Sequence, residues 1–363
     1  MHKFLVFPKR MLVLFCVAGV CLAATVVVAQ QTPPAVQSSQ PAQQPAQQPG
    51  PPNQQSEDSQ QPTETLKVNV NVVQLFFNVK DKHGALVPNL TKDLFAVSED
   101  GQPQTIKYFN AESNLPLTLG ILIDASGSQR NVIDMEKEVG GAFLKQILTD
   151  KDEAFVISFD ISVDLLQDFT RDVRRLQTAL NKAKVNVDFT SGVPGIGGGP
   201  IPQQNSPGTL LYDAVYLSAH DMLAKEVGRK AMILLTDGQD EGSRLKIQDA
   251  IEAAQKSDSI VYVLLCADRG GYFSAGMAYT GEGDMRKLTE ATGGRVINVG
   301  NKFDKLREAF DQIAAELRSQ YNIGYTPTNA KQDGTYRKLE IKCKEPNTKI
   351  QARAGYYAGG SRE

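Results

Sequence analysis

The first hydrophobic feature of the chain has no period at all. Residues 11–29 (MLVLFCVAGVCLAATVVVA) are uncharged and follow Lys3, Lys9 and Arg10. A basic start before a long apolar run is the pattern of an export signal, and this run is nearly long enough to span a bilayer. Val27-Val28-Ala29 before Gln30 fits small-residue cleavage only loosely. Residues 1–29 therefore read as a signal peptide or a retained signal anchor, and the remainder is expected outside the cytoplasm: periplasmic, cell-surface or secreted. Residues 30–65 then hold 12 Gln and 8 Pro, with Val36 the only apolar side chain larger than Ala or Pro. Such a segment cannot build a core and reads as an extended, disordered linker.

From residue 66 the pattern acquires period two. Val68, Val70 and Val72 alternate, and Val73, Leu75, Phe77 and Val79 continue on the other parity, which predicts one bulged strand or two strands. Asp81-Lys82-His83-Gly84 reads as a turn. Residues 95–99 and 105–109, joined through Asp100-Gly101, read as a hairpin. From 116 onward, apolar runs alternate with amphipathic stretches of helical period. Strands are predicted at 117–123, 154–159, 163–168, 231–236, 260–266 and 296–299, and helices at 132–148, 173–183, 210–225, 247–257, 283–292 and 304–320. Continuous apolar strands such as LTLGILI and AMILLT, alternating with helices, predict a mostly parallel sheet covered on both faces. The strand at 163–168 follows its neighbour too closely for a crossover and is expected as an antiparallel edge. After residue 320 the period-two pattern returns, at 321–325, 336–343 and 350–357, with Asp333-Gly334 as a turn.

β-rich sequence thus flanks an α/β unit on both sides. Each flank is too short for a comfortable core of its own, so the two are expected to build one small β-sandwich. The expected organisation is an N-terminal flank at 66–114, an α/β domain at 115–320, a C-terminal flank at 321–358 and a tail at 359–363.

Charge and composition narrow the chemistry. With 39 basic and 41 acidic residues in 363, nothing favours nucleic acid. Only three His occur, one of them His2, which argues against His-based catalysis and a multi-His zinc centre. Of four Cys, Cys16 and Cys21 lie in the apolar N-terminal run. Cys266 and Cys343 remain, either paired or free, too few for a disulfide scaffold. No Gly-x-Ser-x-Gly elbow or phosphate-binding Gly-x-x-x-x-Gly-Lys-Ser/Thr loop is present, and Gly271 to Gly276 has the wrong spacing for the former. These absences argue against an enzyme.

Oxygen donors mark the place of the chemistry. Asp124-Ala125-Ser126-Gly127-Ser128 ends the first α/β strand, where ligands bind in open α/β sheets. Asp124, Ser126 and Ser128, at spacing two, can point to one side and offer hard ligands suited to Mg²⁺, Mn²⁺ or Ca²⁺. Thr209 precedes a helix, and Asp237 ends the strand at 231–236. Alternatively, the serines only cap a helix start and Asp237 is a turn residue. Asp240 and Glu241 read as loop acids, with a second cation as the other option. The Gly/Pro-rich stretch at 185–208 reads as a disordered insertion or a mobile rim of the site.

Asp-x-Ser-x-Ser, then Gly-Thr-x-Leu-Tyr-Asp spread over Gly208 to Asp213, then Leu-Thr-Asp-Gly at 235–238, resembles the von Willebrand factor type A domain across about residues 115–320. The flanks, with Asn78-Val79-Lys80-Asp81 and Tyr321-Asn322-Ile323-Gly324-Tyr325, resemble the von Willebrand type A-related proteins of acidobacteria. The resemblance implies a Rossmann-like doubly wound α/β fold and a metal-ion-dependent adhesion site. In that site Ser126, Ser128 and Thr209 would meet the cation directly. Asp124 and Asp237 would act mainly through water, and Mg²⁺ (or Mn²⁺ or Ca²⁺) would take an Asp or Glu carboxylate from a partner protein. The competing reading is a structural envelope protein whose cation only stabilises the fold.

Overall fold

The computed structural model describes residues 72–111, 115–185, 208–266 and 281–359. The apolar run at 11–29, the linker at 30–65, the alternation at Val68 and Val70, most of the Gly/Pro-rich stretch and the Gly271 to Gly276 segment lie outside them. No helix among the described residues is long and apolar enough to cross a membrane.

Two kinds of sheet are present. The α/β part has six strands: β5 (Leu117–Asp124), β6 (Glu153–Phe159), β7 (Val163–Thr170), β8 (Arg229–Thr236), β9 (Ser259–Leu265) and β10 (Val296–Asn298). Their order is β10-β9-β8-β5-β6-β7. All pairs are parallel except β6–β7, so β7 is the antiparallel edge its short connection predicted. Helices cover both faces. On one side lie α1 (Ile133–Ile147), α2 (Val173–Lys182) and α6 (Phe303–Arg318), packed against Leu119, Ile121, Ile123, Ile233 and Tyr262. On the other lie α3 (Leu211–Leu217), α4 (Ile247–Lys256) and α5 (Gly281–Thr292), packed against Leu122, Phe155, Met232, Leu234 and Val263. Successive residues of a strand point to opposite faces, so a strand covered on both is apolar along its middle; every residue of β5 and β8 is buried, including the polar Thr118, Asp124, Arg229, Lys230 and Thr236 toward their ends.

The helix predicted at 210–225 is regular only over α3. A wide π-helical turn (Ser218–Met222) and a tight 3-10 turn (Leu223–Lys225) complete it.

The flanks form two four-stranded antiparallel sheets. One has the order β13-β1-β11-β4, from β13 (Thr348–Ala352), β1 (Val73–Asp81), β11 (Tyr321–Tyr325) and β4 (Ile106–Asn110). The other has the order β14-β12-β2-β3, from β14 (Gly355–Tyr357), β12 (Tyr336–Cys343), β2 (Phe95–Glu99) and β3 (Gln102–Gln104). Leu75, Phe77, Val97, Ile106, Ile323, Tyr325 and Leu339 form their shared core, so the sandwich is built from both ends of the chain.

Two expectations need correction. The hairpin from 95 is completed by β3, which pairs Val97 with Gln104. The chain then crosses to the other sheet, where Ile106 faces Tyr325. Gln104 fixes the crossing, its amide bonded to Thr328 (2.9 and 3.0 Å). The strand expected at 350–357 is likewise two strands in different sheets. The chain breaks at Ala354, whose N–H donates to Ala291 O at the end of α5 (3.1 Å) and whose carbonyl accepts from Leu339 N (2.9 Å). Alternation within each piece masked both breaks. Cys266 and Cys343 are both free, one in the core of the α/β part and the other against the sandwich core.

Candidate metal centre

Numbering only the α/β strands, β5 comes first and β8 fourth, and they are neighbours. This is the point where the winding of the sheet reverses and a crevice opens beyond the strand ends. Asp124 closes β5 and Asp237 follows β8, so the crevice is flanked by two carboxylates. They are 0% and 2% exposed.

Asp124 is fixed from two sides. Its Oδ1 accepts the Ser126 N–H (2.9 Å) and its Oδ2 accepts the Thr236 hydroxyl (2.6 Å). Burial, and next the charge of Asp237, push its carboxyl up to about 7. Ser126 precedes the 3-10 turn Gly127–Asn131, yet its side chain makes no capping bond. Its hydroxyl lies 3.0 Å from that of Ser128. The helix-cap alternative for Ser126 is therefore not what the side chain does. Asp237 does have a turn role, since its Oδ1 accepts the Gln239 N–H (3.0 Å).

Thr209 is brought to the same rim by its backbone. It exchanges two hydrogen bonds with Glu241 (3.0 and 3.1 Å), and Leu210 N donates to Asp160 O at the end of β6 (2.8 Å). The loops after β5, β6 and β8 thus meet at one edge, and all five expected residues lie on or beside them. Gly238 has φ +84° and sits against α5, where a Cβ on Gly281 would lie 2.3 Å from Gly238 O. The close approach accounts for Gly281, and the left-handed φ of Gly238 accounts for the glycine in Leu-Thr-Asp-Gly. Asp240 is engaged in holding the start of α3. It accepts the Tyr212 N–H at the start of α3 (3.1 Å) and the Ser243 hydroxyl.

Two residues behind the site, Gln129 and Glu136, were not singled out in the sequence. Gln129 is fully buried, and its side-chain amide, oriented to satisfy both neighbours, donates to Cys266 O and accepts from Asp237 N (3.1 Å each). Glu136 on α1 is fully buried, and neither carboxylate oxygen has a hydrogen-bond partner. Burial pushes it up to about 8, the neighbouring Cys266 thiol opposing the rise and the charges of Asp124 and Asp237 adding to it. Burial and the neighbouring Glu136 likewise push the Cys266 thiol up. Glu136 was detectable, because it interrupts the apolar stripe of α1 between Ile133 and Val139.

The donor set suits a small hard cation. The Ser126 and Ser128 hydroxyls are hydrogen-bonded to one another at 3.0 Å, close enough to face one small hard cation together. No group of three or more His, Cys, Asp and Glu side chains is placed to hold a metal among the described residues. Any cation here draws on hydroxyls as well as carboxylates.

No family model matches the chain, and neither does any curated protein. Solved structures similar to it include a von Willebrand factor type A protein from Catenulispora acidiphila, 12% identical over 80% of this chain and 75% of that one, with a TM-score of 0.44. A second is the vWF domain of the type V pili tip protein Mfa5 from Porphyromonas gingivalis, 13% identical over 56% and 96%, with a TM-score of 0.41. A third is proximal thread matrix protein 1 from the mussel byssus, 13% identical over 67% of this chain, with a TM-score of 0.43. The chain spans half the length of that mussel protein, for which a structure with a zinc-occupied MIDAS motif is also known. With TM-scores below 0.5, none of these likenesses assigns a residue or an activity, and the doubly wound α/β fold with its flanking sandwich stands on the strand order and pairing.

Proposed function

We propose that this chain is an exported, divalent-cation-dependent protein-binding module of the adhesion type. The observation that carries it is the meeting, at the reversal point of the sheet, of two buried carboxylates with the paired Ser126 and Ser128 hydroxyls, of which Ser126 makes no capping bond. In this reading Ser126, Ser128 and Thr209 supply neutral oxygens, and Asp124 and Asp237 supply charge largely through water. Mg²⁺, or Mn²⁺ or Ca²⁺ in its place, would then retain enough positive charge to accept an Asp or Glu side chain from a partner protein.

The protein's own residues do the positioning. The Thr236 hydroxyl and Ser126 N–H hold Asp124 in one orientation. Gln129 joins the loops carrying Asp237 and Cys266. Among the described residues no nucleophile–base pair accompanies the five, which favours a binding site over a catalytic one. The uncharged run at 11–29 supports export, by cleavage or as an anchor.

The test is a thermal melt in chelator and in Mg²⁺, for the natural chain and for Asp124→Ala. A cation present at about 100 times its Kd adds about 2.7 kcal/mol, several degrees in Tm. The increment is expected in the natural chain and not in the variant. Asp124→Ala also removes a strained buried charge, so the increment, not the Tm itself, is the readout. An equal increment in both proteins, or none in either, overturns the proposal.

A further inference from the structure

The turn between β6 and β7 carries an apolar side chain into solvent at the rim of the site. Ile161 is 62% exposed. Turns usually place Gly, Asn, Asp or Ser at such positions, for conformational reasons. This turn is also rigid. Asp160 N donates to Ser162 O, and Asp160 Oδ1 accepts the Ser162 N–H (2.9 Å each). The Asp160 carbonyl accepts the Leu210 N–H, which ties the turn to the Thr209 loop.

Ile161 stands directly against that loop. A Cβ on Gly208 would lie 2.3 Å from Ile161 Cγ2 and 2.9 Å from its Cα, so position 208 admits only glycine while Ile161 stays where it is. Thr209 is the next residue. Among the other described rim residues the exposed ones are small, polar or charged: Gly127, Ser128, Arg130, Glu241 and Gly242. Leu165, 50% exposed, extends the apolar surface along the edge strand β7.

We propose that Ile161 is the apolar contact for a partner whose carboxylate reaches the cation site, so that the preferred ligand is an acidic residue flanked by an aliphatic or aromatic one. This rests on the cation-site reading above. An acid alone would gain the charge interaction. An acid with an apolar neighbour would also remove the Ile161 side chain from water, and each methylene so buried adds roughly fourfold in affinity.

The experiment uses the Mg²⁺-loaded protein with labelled isoleucine methyl groups, titrated by NMR with acetate and with 4-methylpentanoate. The branched carboxylate is expected to bind about fivefold to tenfold more tightly and to shift the Ile161 methyl resonance. In Ile161→Ser the two affinities are expected to converge, with acetate binding unchanged. Equal affinities in the natural chain, or a preference that survives Ile161→Ser, overturns the Ile161 proposal and leaves the cation site standing. Acetate that binds no better with Mg²⁺ than with chelator overturns both.

Discussion

Glu136 is the residue whose position is hardest to account for by packing. It lies fully buried behind the crevice with no hydrogen-bond partner for either oxygen. A buried carboxyl in that state is held protonated, as its rise to about 8 indicates, and Asp124 is pushed in the same direction, to about 7. Both are raised above their unfolded values. Their contribution to stability is therefore complete below about pH 4 and is lost as the pH rises through about 7 to 8. Asp152 acts in the opposite sense, because its hydrogen bonds from Arg318 and Thr149 hold it below the usual range despite burial. Its contribution is lost only in acid. In chelator, Tm is expected to fall between pH 5.5 and 8.5, and Glu136→Gln is expected to flatten part of that fall and raise Tm at pH 8.5. A thermal melt across this range checks it, and an unchanged slope in the variant would count against a protonated Glu136.

Among the elements, α6 links the two parts of the described chain. Its amphipathic pattern puts Leu306, Ala309, Phe310, Ile313 and Leu317 against the sheet. Phe310 meets Phe143 of α1 with ring centroids 4.5 Å apart. Phe310→Ala is expected to cost about 3 to 5 kcal/mol by leaving a cavity between the helices, measurable by urea unfolding. A loss below about 1 kcal/mol would mean that α1 and α6 close the gap. The C-terminal end of the same helix is held by its carbonyls: Asn78 donates to Glu316 O (2.9 Å), and the Arg229 guanidinium donates to Leu317 O. These bonds satisfy groups that every helix end leaves without an internal partner.

At the scale of the whole described chain, Glu316 joins sandwich to α/β domain. Its carboxylate takes Lys80 from β1 (2.8 Å), Arg295 from the loop before β10 (2.8 Å) and Gln351 from β13 (3.1 Å). It is 3% exposed, whereas Lys80 and Arg295 are 14% and 29% exposed. Removing the acid leaves two half-buried cations facing each other. Glu316→Ala is expected to cost about 2 kcal/mol, less than a fully buried pair because water reaches both cations. Calorimetry of the variant is expected to show a transition broadened or split into two. A single transition at the original Tm would mean that the polar junction does not couple the two parts.

Periodicity alone located most strands and helices. Alternation marked β-rich flanks but not where their strands change sheets, and the apolar runs of β5 and β8 could only sit in a covered sheet, because each residue there faces one layer or the other. The sequence also marked the candidate donors, since Asp124, Ser126, Ser128, Thr209 and Asp237 fall at strand ends and helix starts visible in the pattern. Tertiary structure decided what depends on distant partners. The crossing after Gln104 is set by Thr328, and the break at Ala354 by Ala291 and Leu339. Burial of Glu136 beside Cys266, and exposure of Ile161 beside Thr209, arise from contacts between separate elements. Local periodicity records which face a residue presents, but the group that meets that face lies dozens to hundreds of residues away, and only the folded chain brings it there.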